Sequence, residues 1–367
     1  MKVVELITQA AKLDVSDIHL TVGKPPVYRL HGNLYPLDAP ELKGKLDFGL
    51  SGEEVKILTP EGTEALAQEI MTKVQYEKFK ERGDLDFSYS VPGIARSRVN
   101  AFKQRNSTAI ALRVLNTRIP SFQELGLPNV LIMLSRRPNG LVLVTGPTGC
   151  GKSTTLAAMI DLINKEKRVH IITLEDPIEY LHRHNLSIVN QREIGQDTQS
   201  FATALRAALR EDPDVILVGE MRDLETIAIA ITAAETGHLV LATLHTSSAA
   251  ETIDRVIDVF PPHQQQQIRI QLANTIEGIV SQQLIPRRDK PGRVAALEIL
   301  VATPAIRNLI REGKTFQIPS QLQTGAKHGM QTLDMSLRLL YQKKIISREE
   351  VLNRAYDPET ILKNRGS

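Results

Sequence analysis

The sequence predicts an α/β fold in which a smaller α+β unit precedes a larger unit built on a mostly parallel sheet. Three observations carry this. First, an apolar strand pattern, Leu141-Val142-Leu143-Val144, runs into Gly146-Pro147-Thr148-Gly149-Cys150-Gly151-Lys152-Ser153-Thr154 and then into an apolar helical pattern from Leu156 to Ile163. That is the strand–GxxxxGK[ST]–helix order of a phosphate-binding loop. Second, strand patterns at Leu141–Thr145, His170–Glu175, Val215–Gly219 and Leu239–Thr243 alternate with helical patterns at Ser153–Asn164, Phe201–Arg210 and Leu224–Glu235. Such alternation builds a parallel sheet covered on both faces. Third, 367 residues with 42% hydrophobic and 24% charged content suit a globular chain, long enough for about two to three domains.

Residues 1–117 read as the α+β unit. Val3 to Leu13 has helical spacing, with Val4, Ile7 and Ala11 to one side. Asp17–Val22 and Val27–Leu30 have the look of short strands. Pro36 to Thr59 is rich in glycine and charge, an extended loop or an added hairpin. Thr59-Pro60 opens a helix to about Met71, with proline where its missing N–H costs little, and a second helix covers Gln75 to Arg82. Asp84–Ser90, Ser97–Gln104 and Ala109–Leu115 alternate as antiparallel strands. Residues 118–128 read as a linker, in which Ser121-Phe122-Gln123-Glu124 has a capping-box pattern and Gly126 and Pro128 break the short helix. Residues 129–367 form the nucleotide-binding unit, mainly helical beyond Pro261. Gln264 to Gln267 is a polar tract at a helix start, read as a solvated face.

Composition limits the function classes. Lys+Arg of 45 against Asp+Glu of 42 leaves a net charge of +3, which gives no bulk argument for nucleic acid. One cysteine, Cys150, excludes an internal disulfide and any Cys-based zinc site. No secretory signal and no apolar run near membrane-spanning length point to the cytoplasm, with any membrane contact peripheral.

Chemistry concentrates in three further stretches. The loop glycines let backbone N–H groups surround phosphate oxygens, and the following helix N-terminus adds a favourable dipole. Lys152 is placed to reach the β- and γ-phosphates of ATP, and the Ser153 hydroxyl to ligate Mg²⁺. Asp214-Val215-Ile216-Leu217-Val218-Gly219-Glu220 is an apolar strand ending in an acid, as a Walker B element is. Gly219 stands where many such enzymes carry the metal-binding Asp, so Glu220 is cast as the residue that polarises the attacking water. Ile172-Thr173-Leu174-Glu175-Asp176-Pro177-Ile178-Glu179 supplies carboxylates after another strand. Ligands sit at the carboxyl ends of such strands, so Glu175 is expected at the Mg²⁺ or its water shell. Asp176 instead suits a turn, and Glu179 is equally well a surface charge. In Thr236-Gly237-His238-Leu239-Val240-Leu241-Ala242-Thr243-Leu244-His245-Thr246, His245 lies at the strand's carboxyl end, where it can sense the γ-phosphate. His238, at the other end, suits a subunit contact.

Taken together, GPTGCGKST, TLEDPIE, DPDVILVGEMRD and TGHLVLATLHT resemble the Walker A, Asp-box, Walker B and His-box of the secretion ATPase superfamily of type II secretion and type IV pili. The resemblance covers nearly the whole chain, including Ser16-Asp17-Ile18-His19-Leu20. Within it, Ala305-Ile306-Arg307-Asn308-Leu309-Ile310-Arg311-Glu312 and Gly329-Met330-Gln331-Thr332-Leu333-Asp334 resemble signatures of the twitching-motility retraction ATPases. Assembly and secretion relatives carry a longer N-terminal region and a four-Cys insert, and neither pattern is found here. Where relatives often have Ser in the loop, this chain has Cys150.

The resemblance implies a homohexamer in which each subunit pairs a PAS-like N-terminal domain with a RecA-like ATPase domain. It implies ATP and Mg²⁺ as cofactors, an inner-membrane pilus platform protein as partner, and no nucleic acid. It also implies that Arg98 in Arg-Val-Asn-Ala-Phe and Arg113 in Ala-Leu-Arg-Val-Leu act on the γ-phosphate, since arginine there stabilises charge on the transferred phosphoryl group. Sequence alone reads the two equally well as exposed strand arginines. The expected function is a hexameric motor that hydrolyses ATP to power pilus retraction. The alternatives are a pilus-assembly or type II secretion ATPase, a RecA-like nucleic-acid motor, and a scaffold that binds ATP without turnover.

Overall fold

The computed structural model describes residues 2–13, 15–30, 32–42, 56–115 and 118–363. The chain divides into two compact units. One comprises Met1–Arg118 with Glu179–Leu181, the other Ile119–Ile178 with His182–Ser367.

The first unit holds helices α1 (Val3–Lys12), α2 (Pro60–Ile70) and α3 (Lys73–Arg82) and strands β1 (Asp17–Leu20), β2 (Val27–Leu30), β3 (Asn33–Pro36), β4 (Asp84–Val91), β5 (Ala95–Gln104) and β6 (Ser107–Leu115). The strands form one antiparallel sheet in the order β3-β2-β1-β6-β5-β4. Alternation along β5 buries Ala95, Ser97, Val99 and Ala101 in a core with Leu6, Ile7, Leu66 and Leu112. The intervening residues of β5, Arg98 among them, take the opposite face. Thr59 and Thr72 cap α2 and α3 through their side chains. Much of the Pro36–Thr59 stretch, residues 43–55, lies outside the described residues. Its described ends are a short 3₁₀ turn at Pro40–Leu42 and a Leu58 N–H bonded to the Lys24 carbonyl.

The second unit begins with α4 (Phe122–Leu125) and α5 (Asn129–Ser135). Phe122 and Leu127 sit in its core, and residues 119–128 group with this unit. There follow β7 (Gly140–Thr145), α6 (Lys152–Glu166), β8 (His170–Glu175), β9 (Ile188–Glu193), α7 (Phe201–Ala208), β10 (Val215–Val218), α8 (Leu224–Glu235), β11 (Leu239–Leu244), α9 (Ala249–Asp258), α10 (Pro262–Thr275), β12 (Ile276–Pro286), β13 (Arg293–Val301), α11 (Pro304–Arg311), α12 (Ile318–Thr324), α13 (Leu333–Gln342), α14 (Arg348–Arg354) and α15 (Pro358–Lys363). The sheet order is β13-β12-β7-β11-β10-β8-β9, parallel except for the β12–β13 hairpin. Every residue of β7, β10 and β11 is buried, as expected of strands covered on both faces.

Two features go beyond the sequence reading. The stretch after Pro261 is not only helical: it contributes β12 and β13, and β12 pairs with the loop-bearing strand β7. An edge strand, β9, extends the sheet beyond β8. The outer end of the hairpin packs under α13–α15 in a small separate core of Ile285, Ala296, Leu333, Leu337, Tyr341, Ile346, Val351 and Ile361.

Candidate functional site

The loop between β7 and α6 has the conformation of a phosphate cradle. Gly146, Gly149 and Gly151 have φ of 139°, 77° and 90°, in the region that favours glycine. Gly146 is also required by space, because a Cβ there would stand 2.3 Å from the Gln282 carbonyl oxygen and 2.6 Å from Cys150 Sγ. Gly151 is the N-cap of α6 and offers no side-chain cap. The first turn of α6, from Lys152, is the end of a helix at which backbone N–H groups and the helix dipole favour anions. Pro147, Thr148 and Gly149 form the exposed crown of the loop.

Lys152 Nζ donates to the carbonyls of Gly146 (2.7 Å) and Pro147 (3.2 Å) and lies 3.5 Å from His245 Nδ1. On its other side, His245 Nε2 is 2.9 Å from Glu220 Oε1. Thus Lys152 at the helix start, Glu220 beyond β10 and His245 beyond β11 form one contiguous chain at the carboxyl ends of three neighbouring strands. Sequence reasoning assigned all three to the site. It did not single out Arg222, whose Nε donates to Glu220 Oε1. Burial opposes charge on Glu220, but the hydrogen bond and charge of Arg222, together with His245, outweigh it and hold the carboxyl below its ordinary pKa.

Gly219 has a steric explanation. Its N–H donates to the Leu174 carbonyl at 2.7 Å, and a Cβ would lie 2.9 Å from that same oxygen and 3.3 Å from Glu175 Cα. The close approach of β10 to β8 leaves no room for the acid that many P-loop enzymes place here. Thr243 Oγ1 donates to the Gly219 carbonyl at 2.5 Å, and Met221 N–H to the Thr243 carbonyl at 3.1 Å. These bonds fix the backbone on both sides of Glu220.

Glu175 ends β8. Its Oε1 accepts from Thr173 Oγ1 (2.6 Å) and Gln191 Nε2 (3.1 Å), the second supplied by the unforeseen strand β9. The following turn is held by Glu193, a buried acid that accepts from the Ile178 N–H at 3.0 Å and Gln196 Nε2 at 2.7 Å. The Asp176–Pro177 peptide is cis, and Glu179 is exposed. His238 is occupied locally, with Nδ1 2.9 Å from the Ala233 carbonyl at the end of α8.

Arg98 and Arg113 belong to the first unit. They are direct partners across the β5–β6 ladder, and both are exposed. On the next strand of the same rung, Asp17 Oδ1 accepts from Arg113 Nε at 3.0 Å, while Asp17 Oδ2 lies 3.7 Å from Arg29 Nε. The motif that opens β1 therefore supplies the counter-charge for Arg113. No pattern in the sequence gave that pairing.

Among the described residues no group of three His, Cys, Asp or Glu could hold a metal ion. The Ser153 hydroxyl, in the first turn of α6, is the oxygen donor type that suits Mg²⁺, which is bound through few protein oxygens and the substrate's phosphates. Among the described residues, too, no helix is long and apolar enough to cross a membrane.

Comparison with known proteins gives the family. The model of the family described as "Type II/IV secretion system protein" matches residues 70–353. The "Type IV pilus retractation ATPase PilT" of Pseudomonas aeruginosa is 50% identical over 359 residues, covering 98% of this chain and 99% of the relative. A "Twitching motility protein" of Neisseria gonorrhoeae is 47% identical over 336 residues, covering 92% of this chain and 86% of the relative. A solved structure described as the pilus retraction motor PilT with bound ADP superposes with a TM-score of 0.88 at 49% identity, covering 99% of both chains. The loop, the strand-end acid and histidine, and a family match across most of its length make this chain a member of the type II/IV secretion system protein family.

Proposed function

We propose that the chain is an ATPase motor that drives retraction of type IV pili, working as a homohexamer at the cytoplasmic face of the inner membrane. The observation that carries the chemistry is the Lys152–His245–Glu220 chain. Near-full-length similarity to a retraction ATPase supports the biological role over assembly or secretion, as does a composition with one cysteine in place of a four-Cys zinc site.

In this reading Lys152 exchanges the Gly146 and Pro147 carbonyls for β- and γ-phosphate oxygens. The loop N–H groups and the start of α6 hold the remaining phosphate charge. Mg²⁺ would be held by the Ser153 hydroxyl, with Glu175 supporting its water shell, and would neutralise phosphate charge. Glu220, ionised at neutral pH, accepts a hydrogen bond from the attacking water and orients it in line with the γ-phosphorus. A bond forms from water oxygen to phosphorus as the bond to the bridging oxygen breaks, giving ADP and phosphate. His245, between Lys152 and Glu220, reports the γ-phosphate to the strand end.

Arg98 and Arg113 are proposed as the arginines that answer to the γ-phosphate and couple it to movement of the N-terminal domain, which we take as PAS-like. Two like charges directly opposed on one rung cost stability, and Asp17 offsets only part of that. Such a cost is expected where an anion must be bound. The partner is a platform protein of the pilus machinery. The test is loss of the chain in cells. Hyperpiliated, non-twitching cells support retraction, and bald cells indicate assembly.

A further inference from the structure

Gln282, on β12, is a buried polar residue with no counterpart among the motif residues. It is 3% exposed, and both ends of its carboxamide are engaged. Nε2 donates to the Cys150 carbonyl at 2.6 Å, and Oε1 accepts from Thr155 Oγ1 at 2.8 Å. The Cys150 carbonyl can only accept, which fixes the orientation of the amide. The two anchored residues flank Lys152 and Ser153, so one side chain grips the loop and the first turn of α6 from both sides. Backbone contact reinforces the grip. The Gln282 carbonyl oxygen is what a Cβ at Gly146 would strike, and its Nε2 would stand 2.8 Å from a Cβ at Gly151. Beside it, Thr145 and Ser281 share a hydroxyl hydrogen bond of 2.9 Å that fastens β12 to the strand leading into the loop.

We infer that Gln282 is a positioning residue for nucleotide, and that it holds the phosphate-binding loop in register with α6 from the neighbouring strand. The inference rests on the reading of residues 146–154 as the phosphate-binding loop. A backbone cradle binds phosphate only if its N–H groups are already aimed, so a loop freed from its brace loses affinity through the ordering it must then undergo. Cys150 supplies an independent reporter. It is the chain's one cysteine, its thiol is buried, and its own carbonyl is the atom that Gln282 holds.

The test uses the full chain and Gln282→Met, which keeps the volume and removes both bonds. ADP affinity is measured by titration, and Cys150 is labelled with a thiol reagent with and without ADP. Two neutral hydrogen bonds predict about tenfold weaker ADP binding and labelling faster by a similar factor, with ADP restoring protection. Adding Thr155→Val to Gln282→Met produces little further loss, because the two groups act as one clamp. Should Gln282→Met fail to fold, Thr155→Val alone is predicted to weaken ADP binding and speed labelling in the same direction. Unchanged ADP affinity and unchanged labelling in a folded Gln282→Met overturn the inference. So does a loss that adds fully to that of Thr155→Val and follows a fall in Tm, since that marks core packing. If ADP fails to protect Cys150 in the unaltered chain, the reading of the loop itself falls instead.

Discussion

Replacing Gly219 is the sharpest perturbation of the Walker B strand, because intuition and geometry disagree about it. An aspartate there would restore the acid found in many P-loop enzymes. The structure predicts damage. Even the Cβ of Gly219→Ala would stand 2.9 Å from the Leu174 carbonyl oxygen and 3.3 Å from Glu175 Cα. Both are backbone atoms of a buried strand and cannot rotate aside. Strands β8 and β10 must separate, and the 2.7 Å bond from the Gly219 N–H to that oxygen is strained with them. Overpacking costs about 1–3 kcal/mol, and weakening one buried backbone bond adds about 0.5–1.5 kcal/mol. The expected total is about 2–4 kcal/mol, a fall in Tm of roughly 5–15 °C for a unit of this size. Glu220 is the next residue, so its 2.9 Å contact with His245 is disturbed as well. ATP turnover should therefore fall more than tenfold in the folded variant. Thermal unfolding and steady-state ATPase of Gly219→Ala and Gly219→Asp make the measurement. A Tm within 2 °C of the parent, or higher turnover in Gly219→Asp, would refute the steric account.

Three other predictions follow from the same contacts. Arg222 helps hold the Glu220 carboxyl below its ordinary pKa. The Glu220 carboxylate therefore contributes stability above the unfolded pKa, and that contribution disappears as pH falls through the lowered folded value. In Arg222→Ala the acid limb of the kcat–pH profile should move upward. An unmoved limb contradicts the role given to Arg222. His182 is half-buried, its shielded Nδ1 has no hydrogen-bond partner among the described residues, and desolvation lowers its pKa to about 4. The unfolded chain binds the proton first as pH falls below about 6.5, so up to about 3 kcal/mol of stability is lost between there and pH 4. His182→Phe should flatten the dependence of Tm on pH in that window. Arg98→Ala should relieve the repulsion across its rung, leaving Tm equal or slightly higher, while lowering kcat about a thousandfold. A fall in Tm with normal turnover would make Arg98 a structural residue.

Much of the site was legible because its signals are local. The glycine spacing before Lys152, the apolar run before Glu220 and the strand before His245 each lie within a few residues of the group they position. What escaped is non-local. Ile276 to Pro286 follows a helix directly and includes Ser281 and Gln282, polar residues that hide a buried strand. Their reason for burial is the loop more than a hundred residues earlier, and no local pattern reports that. Ile188–Glu193 carries Asn190, Gln191 and Arg192, so this edge strand lacks a continuous apolar run. Asp17 and Arg113 pair only because β1 and β6 are neighbours in the sheet. Arg222 was adjacent in sequence to the catalytic motif, but its return to Glu220 depends on the turn after β10. The parallel pairing of β7, β8, β10 and β11, in contrast, followed from the strand–helix alternation, whereas β9, β12 and β13 did not.

The central claim is that hydrolysis at Glu220 drives pilus retraction. The most direct measurement counts surface pili and twitching in cells whose own copy is replaced by Glu220→Gln. The substitution keeps the size of the side chain and removes the charge that orients water. The account predicts a folded protein that still binds ADP, turnover lower by about a hundredfold or more, and cells that are hyperpiliated and do not twitch. Normal twitching with that variant, or cells without pili, would contradict it.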